Sequence, residues 1–187
     1  MDLRKGRQLG GLDAILRSLG SFTIQHQDNT TQHIALQVAQ NLYQYFSADS
    51  SIEHTELSSS NQPGNFINIV IGNKVPQSRL RGFPIEVVAE REISIRTGDA
   101  HYRLYSEEGL SAIFLRPLEA ERLELVVWGR DADSAAAAAR LVPMFTGVGQ
   151  PDFVILGNSC RWKGVEGVLA VGFFDHAWNV TKTSFFT

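Results

Sequence analysis

"RLELVVWGRDADSAAAAARLVPMF", residues 122–145, runs through a strand, a turn and a helix in one pass. Leu123, Leu125, Val126, Val127 and Trp128 make a nearly continuous apolar run, the pattern of a strand covered on both faces. Asp131 or Asp133 then supplies an N-cap carboxylate, and Ala135 to Ala139 form a helix with a smooth side that can lie close to a sheet. "PDFVILG", residues 151–157, is a second buried strand, so this part of the chain is a strand–helix–strand unit.

The same alternation opens the chain. Residues 1–9 are polar and basic and are expected to fray. "LGGLDAILRSLG" carries Leu12, Ile15, Leu16 and Leu19 at helical spacing, with Gly20 as a stop. "SFTIQH" alternates like a strand, and "DNTTQ" brings turn and capping chemistry. From Gln32 to Ser47, Ile34, Leu36, Val38, Ala39, Leu42, Tyr43, Tyr45 and Phe46 cover a broad helical face. A strand at "SIEHTEL" follows, then a Ser, Asn, Pro and Gly loop at 58–65, and "FINIVIGN", a β-branched run expected as a central strand.

Between Pro84 and Pro117 the pattern changes. "IEVVAE", "EISIRT", "HYRLYS" and "SAIFLRP" are short alternating runs broken by turn residues such as Gly98, Asp99 and Gly109, as in hairpins or edge strands. "GVLAVGFF", near the C-terminus, is a strand or a strand-to-helix element. Strand–helix–strand units at both ends imply right-handed crossovers and a largely parallel sheet. The expected fold is therefore α/β: a three-layer sandwich, flavodoxin-like, with a mostly parallel sheet and an antiparallel insertion, in a single domain over 1–187.

The 187 residues suffice for one core, and 43% hydrophobic with 20% charged residues describes an ordinary globular chain. No apolar run approaches the roughly 20 residues that span a bilayer, so no membrane partner is expected. A net charge of −3 without clustered Lys or Arg gives no footprint for nucleic acid. One cysteine, Cys160, cannot form an internal disulfide or a multi-thiolate zinc site, and no metal site is expected. Asn29 and Asn179 begin N-x-Thr tripeptides that accept glycan if the chain is secreted. The basic start has no apolar stretch behind it, which reads as cytoplasmic for a complete chain and secreted for a piece of a longer precursor.

Several stretches invite catalytic readings. "VILGNSCRWKG", residues 154–164, places Ser159 and Cys160 just after a strand, but a nucleophile elbow needs G-x-S-x-G, and Arg161 stands where the second glycine belongs. No spacing rule selects a partner for Cys160 among His26, His33, His54, His101 and His176, so the stretch reads as a turn. "EHTE", around His54, lacks the second histidine of H-E-x-x-H and reads as an exposed strand edge. "GVGQPD" and "GVEGVLAVG" fit neither glycine-rich phosphate spacing, and no cofactor is expected. Asp175 and His176 follow "GVLAVGFF" at the end of a sheet element, where open α/β sheets bind ligands. Trp162 and Trp178 add aromatic area nearby in sequence, so these four residues form the expected ligand site, with Asp175 and His176 as its proton-transfer groups.

Beyond single motifs, "LDAILRSLGSFTI", "ALQVAQNLYQYFSADSSI" and the long stretch from "LELVVWGRDADS" to "GVLAVGFFDHAW" resemble, in order, the C-terminal region of large fungal secreted prolyl oligopeptidase-like α/β-hydrolase proteins. The matching positions include Gly129, Asp131, Ala138, Ala139, Arg140, Leu141, Pro143, Thr146, Gly147, Pro151, Asp152, Phe153 and Gly157. They continue through Trp162, Gly164, Gly167, Val168, Leu169, Ala170, Gly172 and Phe173, while Glu166 departs where a glycine is expected. The resemblance implies a chain without the hydrolase domain and its serine, aspartate and histidine. It implies an accessory, non-catalytic module that binds a small ligand or a partner. The alternative is a cofactor-free enzyme, a cyclase or isomerase of fungal secondary metabolism, with an apolar pocket and a few polar groups. Convergence of Trp128, Trp162, Trp178, Asp175 and His176 on one cavity separates the two readings from a scatter over the surface. Oligomeric state is not specified by any of these features.

Overall fold

The computed structural model describes residues 3–55, 63–75, 82–88, 91–98, 101–142 and 150–187, apart from the side chain of Arg161. Most of the loop expected at 58–65, the ends of "SIEHTEL" and "IEVVAE", the turn residue Asp99, and Pro143, Thr146 and Gly147 beyond the alanine helix lie outside the described residues.

The described elements are β1 (Phe22–His26), α1 (Asn29–Phe46), β2 (Ser50–His54), β3 (Phe66–Ile71), β4 (Ile85–Val88), β5 (Glu92–Gly98), β6 (His101–Tyr105), β7 (Ser111–Pro117), β8 (Leu123–Gly129), α2 (Ala132–Ala139), β9 (Phe153–Leu156), α3 (Cys160–Lys163), β10 (Val168–Gly172) and β11 (Phe185–Phe186). Among the described residues, eight strands form one sheet in the order β11-β10-β9-β7-β8-β3-β1-β2, and β4-β5-β6 form a separate antiparallel sheet. β2, β1, β3 and β8 pair in parallel, whereas β7, β9, β10 and β11 join by antiparallel pairings. Only β7 and β10 therefore oppose the common direction of the large sheet. The mixed α/β class and the small antiparallel sheet agree with the sequence reading, and "FINIVIGN" is an interior strand.

Three expectations differ. "SAIFLRP" is a hairpin strand, paired antiparallel with β8 across a short turn, but it is not an edge strand: β7 lies between β8 and β9, and its positions from Ser111 to Arg116 are buried. "LGGLDAILRSLG" forms only a short 3₁₀ turn, Leu12–Leu16, which buries Leu12, Ala14 and Ile15. Residues 3–9 are packed rather than frayed, because Arg4 is buried against Asp152.

The layers also depart from the flavodoxin-like arrangement. α1 is set by a capping box in which Asp28 accepts from the Thr31 N–H at 2.8 Å and the Thr31 hydroxyl accepts from the Asp28 N–H at 2.9 Å. It buries Ile34, Ala35, Val38 and Leu42 along one stripe. α1 packs against α2, and the Asn41 side chain donates to the Val142 carbonyl at 2.8 Å, so the two helices share one face of the sheet. α2 sits over Gly129, the register partner of Ser111, while Phe114 projects from the opposite face by strand alternation. On that opposite face Phe114 meets Phe83, which leads into β4, and Phe83 in turn meets Phe174 and Trp178. An aromatic layer stands where a flavodoxin-like sandwich carries helices. The step from β1 to β2 and the step from β8 to β9 run in opposite directions across the sheet, yet both helices lie on one face. The two crossovers therefore differ in hand, where a right-handed pair was expected.

Candidate functional site

The carboxyl ends of β8 and β9 build a cleft beside the start of α2. Gly129 closes β8, and a Cβ there would stand 2.1 Å from the Ala135 nitrogen, so the helix rests on the strand end at a spacing that excludes any side chain. Asp131 caps α2, accepting from the Ser134 N–H at 2.8 Å. Ala135, Ala138 and Ala139 face the sheet and are buried; Ala136 and Ala137 turn toward the cleft and stay half-buried. Gly109, at φ +68°, makes the turn into β7, and a Cβ on it would lie 2.6 Å from the Cβ of Asn158, just beyond β9.

The cleft has two adjoining lobes that share Gly109, Asp133 and Asn158. The inner lobe, about 520 Å³, is walled by Ala136, Ala137, Leu141, Leu156, Cys160 and Trp162. The outer lobe, about 410 Å³, is lined by Arg91, Glu108, Arg130, Asp131 and Ser134. Ser111 lines the inner lobe and is 2% exposed. Cys160 lines the same lobe, and burial pushes its thiol above the ordinary cysteine range, which keeps it protonated at neutral pH.

Of the four residues expected to form the site, only Trp162 reaches this cleft, as an 85% exposed ring at its rim. Asp175, His176 and Trp178 lie at the other end of the sheet. The reason is the direction of β10: it runs antiparallel to β9 with Gly172 beside Phe153, so the chain leaves it where β9 begins. The carboxyl-end rule was applied to a strand that points the other way. There Asp175 organises a turn, accepting from the Ala177 and Asn179 N–H groups at 2.8 Å each. Partial burial raises the Asp175 carboxyl, but the Asn179 and Ala177 hydrogen bonds outweigh it and hold the group below its ordinary range. The His176 side chain is exposed, and its backbone carbonyl accepts from the Arg4 N–H at 2.7 Å. Trp178 is 1% exposed, with the Arg4 guanidinium 4.6 Å from its ring centre, and supports the core. Trp128 is buried as well, its indole N–H donating to the Gly72 carbonyl. The five residues whose convergence was to separate the two functional readings are scattered.

Ser159 has φ −64° and ψ −17°, ordinary helical backbone that leads directly into α3, so this turn lacks the strain of a nucleophile elbow. His54 is on β2, an outer strand of the large sheet, and its ring meets His26 edge-on at 5.4 Å. Among the described residues, no three His, Cys, Asp or Glu side chains are grouped to hold a metal ion, and no helix is long and apolar enough to cross a membrane. Asn29 and Asn179 are both exposed.

The sequence reading missed Ser111, Gly109, Asn158, Ala136 and Ala137. The one available signal was "EGLSAIFL", where a glycine turn delivers a lone hydroxyl into a buried strand.

Fold and cleft together define a mixed α/β domain with a two-lobed cleft over its strand ends, one lobe mostly charged and polar, the other walled in part by alanine, leucine and tryptophan. No protein-family model matches the chain. It is 40% identical over 187 residues, 97% of its length, to an uncharacterized secreted protein of the fungus Arthroderma benhamiae. The chain spans only 20% of that relative.

Proposed function

We propose that this chain is an accessory module of a larger secreted protein and that it holds a small organic ligand in the cleft between α2, β7 and the end of β9. The observation that carries the reading is the inner lobe: about 520 Å³, walls built in part of alanine, leucine and tryptophan, and a polar group at Ser111, as in small-molecule sites. The secreted fungal relative, of which this chain matches one portion, supports the accessory role. The resemblance of that portion to the region after the hydrolase domain of fungal prolyl oligopeptidase-like proteins extends the same reading: catalysis belongs to a separate domain, and this one recognises or retains a molecule.

A thermal-shift screen of small organic molecules tests this. Hits are expected to raise the melting temperature of the wild type and of His176→Ala alike. They are expected to lose their effect in Ala137→Phe, where a ring fills the inner lobe. Hits that vanish in His176→Ala and survive in Ala137→Phe would contradict the proposal.

A further inference from the structure

We infer that this chain, once it enters a eukaryotic secretory route, carries an N-linked oligosaccharide at Asn179, while Asn29, which opens the other N-x-Thr tripeptide, stays bare. The inference rests on the secreted part of the reading above and is independent of any ligand in the cleft.

The two tripeptides are alike in sequence, Asn-Thr-Thr at 29–31 and Asn-Val-Thr at 179–181, and both asparagines are exposed. The acceptor pattern needs a hydroxyl two residues after the asparagine and belongs to surface loops. Asn29 is instead the first residue of α1, and Thr31 is fully buried. The Thr31 hydroxyl accepts from the Gln27 and Asp28 N–H groups at 2.9 Å each and donates to the Asp28 carboxylate at 2.9 Å. A hydroxyl has one donor and two acceptor positions, so this one is saturated. All three bonds lie within residues 27–31, and the lock closes without help from any distant strand.

Asn179 lies in the turn after Phe174, where its side chain donates to the exposed Asp175 carboxylate at 3.2 Å. The Thr181 hydroxyl is partly exposed and meets the hydroxyls of Thr183 and Ser184 at 2.8 and 3.3 Å, partners it can exchange for others. What fixes this segment is long-range. Arg4 donates to the Phe174 and His176 carbonyls at 3.0 and 2.7 Å, and Asp152 accepts from the Phe174 N–H at 2.7 Å. Until those contacts form, residues 179–181 are open to a transferase; afterwards Asn179 still faces solvent. Transfer joins the Asn179 Nδ2 to C1 of the first sugar of a lipid-pyrophosphate-linked oligosaccharide. The C1–O bond to the pyrophosphate breaks, and one of the two Nδ2 protons is lost. The N–H that remains still donates to Asp175, so the turn survives modification. The glycan stands at the opposite end of the strands from the cleft and leaves it open.

The test is to secrete the intact chain from a eukaryotic host behind an added signal peptide and to map its peptides by mass spectrometry before and after peptide N-glycanase, which converts a glycosylated asparagine to aspartate. Wild type and Asn29→Gln are each expected to carry one glycan, at Asn179. Asn179→Gln and Thr181→Ala are expected to carry none. An unmodified Asn179 in the secreted wild type overturns the inference, and so does a glycan at Asn29. Because the signal peptide imposes secretion, the result does not depend on the cleft: a bare Asn179 leaves the ligand reading standing, and a glycan at Asn179 with no hit in the thermal-shift screen supports this inference while the ligand reading fails.

Discussion

Arg4 and Asp152, 148 residues apart in the chain, meet in a buried two-pronged ion pair, with guanidinium nitrogens 2.9 and 2.7 Å from the carboxylate oxygens. The same guanidinium donates to the carbonyls of Gln8, Gly10 and Phe174, and Asp152 also accepts from the Phe174 N–H at 2.7 Å. The start of the chain, the start of β9 and the segment after β10 are thereby tied at one point. Burial pushes the Asp152 carboxyl upward, opposed by the hydrogen bonds and charge of Arg4 and by the Phe174 N–H, and the net shift is upward.

Arg4→Met should destabilise the chain by roughly 3–5 kcal/mol at neutral pH, since it strands a buried carboxylate. Removing Arg4 raises the folded-state affinity of Asp152 for a proton further. A carboxylic acid whose folded pKa lies above its unfolded one destabilises the fold fully above the folded value, and the penalty fades as pH falls through it. Urea unfolding of Arg4→Met and wild type at a series of pH values should show the gap narrowing toward acid. A gap that widens on acidification would mean that Asp152 is not the stranded group.

The two faces of α2 should respond differently to added bulk. Ala138→Leu and Gly129→Ala press into contacts between helix and sheet and are expected to lower stability by about 1–3 kcal/mol. Ala137→Leu projects into the cleft and should be nearly neutral for folding while it weakens binding of the thermal-shift hits. Thermal denaturation of the three variants checks the ordering; equal losses at 137 and 138 would mean that the helix is rotated from the orientation described.

Asp28→Ala removes the N-cap of α1 and should cost about 0.5–2 kcal/mol at neutral pH. The Thr31 N–H chiefly, with the Thr31 hydroxyl and Lys74, holds the Asp28 carboxyl below its ordinary range despite some burial. A lowered folded pKa contributes stability above the unfolded value, and that contribution is lost as pH falls through the folded one. The difference between wild type and Asp28→Ala should therefore shrink below the ordinary carboxylate range. Chemical denaturation at neutral and at strongly acid pH measures it; a constant difference would place the effect elsewhere.

Cys160 should react with iodoacetamide more slowly than a solvent-exposed cysteine at the same pH, because burial keeps its thiol protonated. A ligand in the inner lobe should slow it further, as Cys160 lines that lobe. Mass spectrometry of timed samples gives both rates. Reaction at the rate of an activated thiolate would contradict the environment described for this residue.

Local chemistry carried much of the fold. The apolar runs at β3, β8 and β9, the amphipathic stripe of α1 and the aspartate caps were readable because each depends on neighbours within about two turns or one strand. Strand direction was not, because it depends on which distant strand supplies the hydrogen bonds. "SAIFLRP" and "GVLAVGFF" carry the same apolar pattern in either direction, and both proved antiparallel to their neighbours. That single ambiguity moved Asp175, His176 and Trp178 to the opposite end of the strands. It also hid Ser111, whose place in the cleft comes from entering β7 beside the exits of β8 and β9. Trp162 was recoverable because β9 runs in the expected direction.

The position of the binding site is tested most directly by a crystal structure of the chain soaked with a hit from the thermal-shift screen. The predicted result is density for the molecule between Ala137 and Trp162. Ordered density against Asp175, His176 and Trp178, with the cleft between α2 and β9 empty, would contradict it.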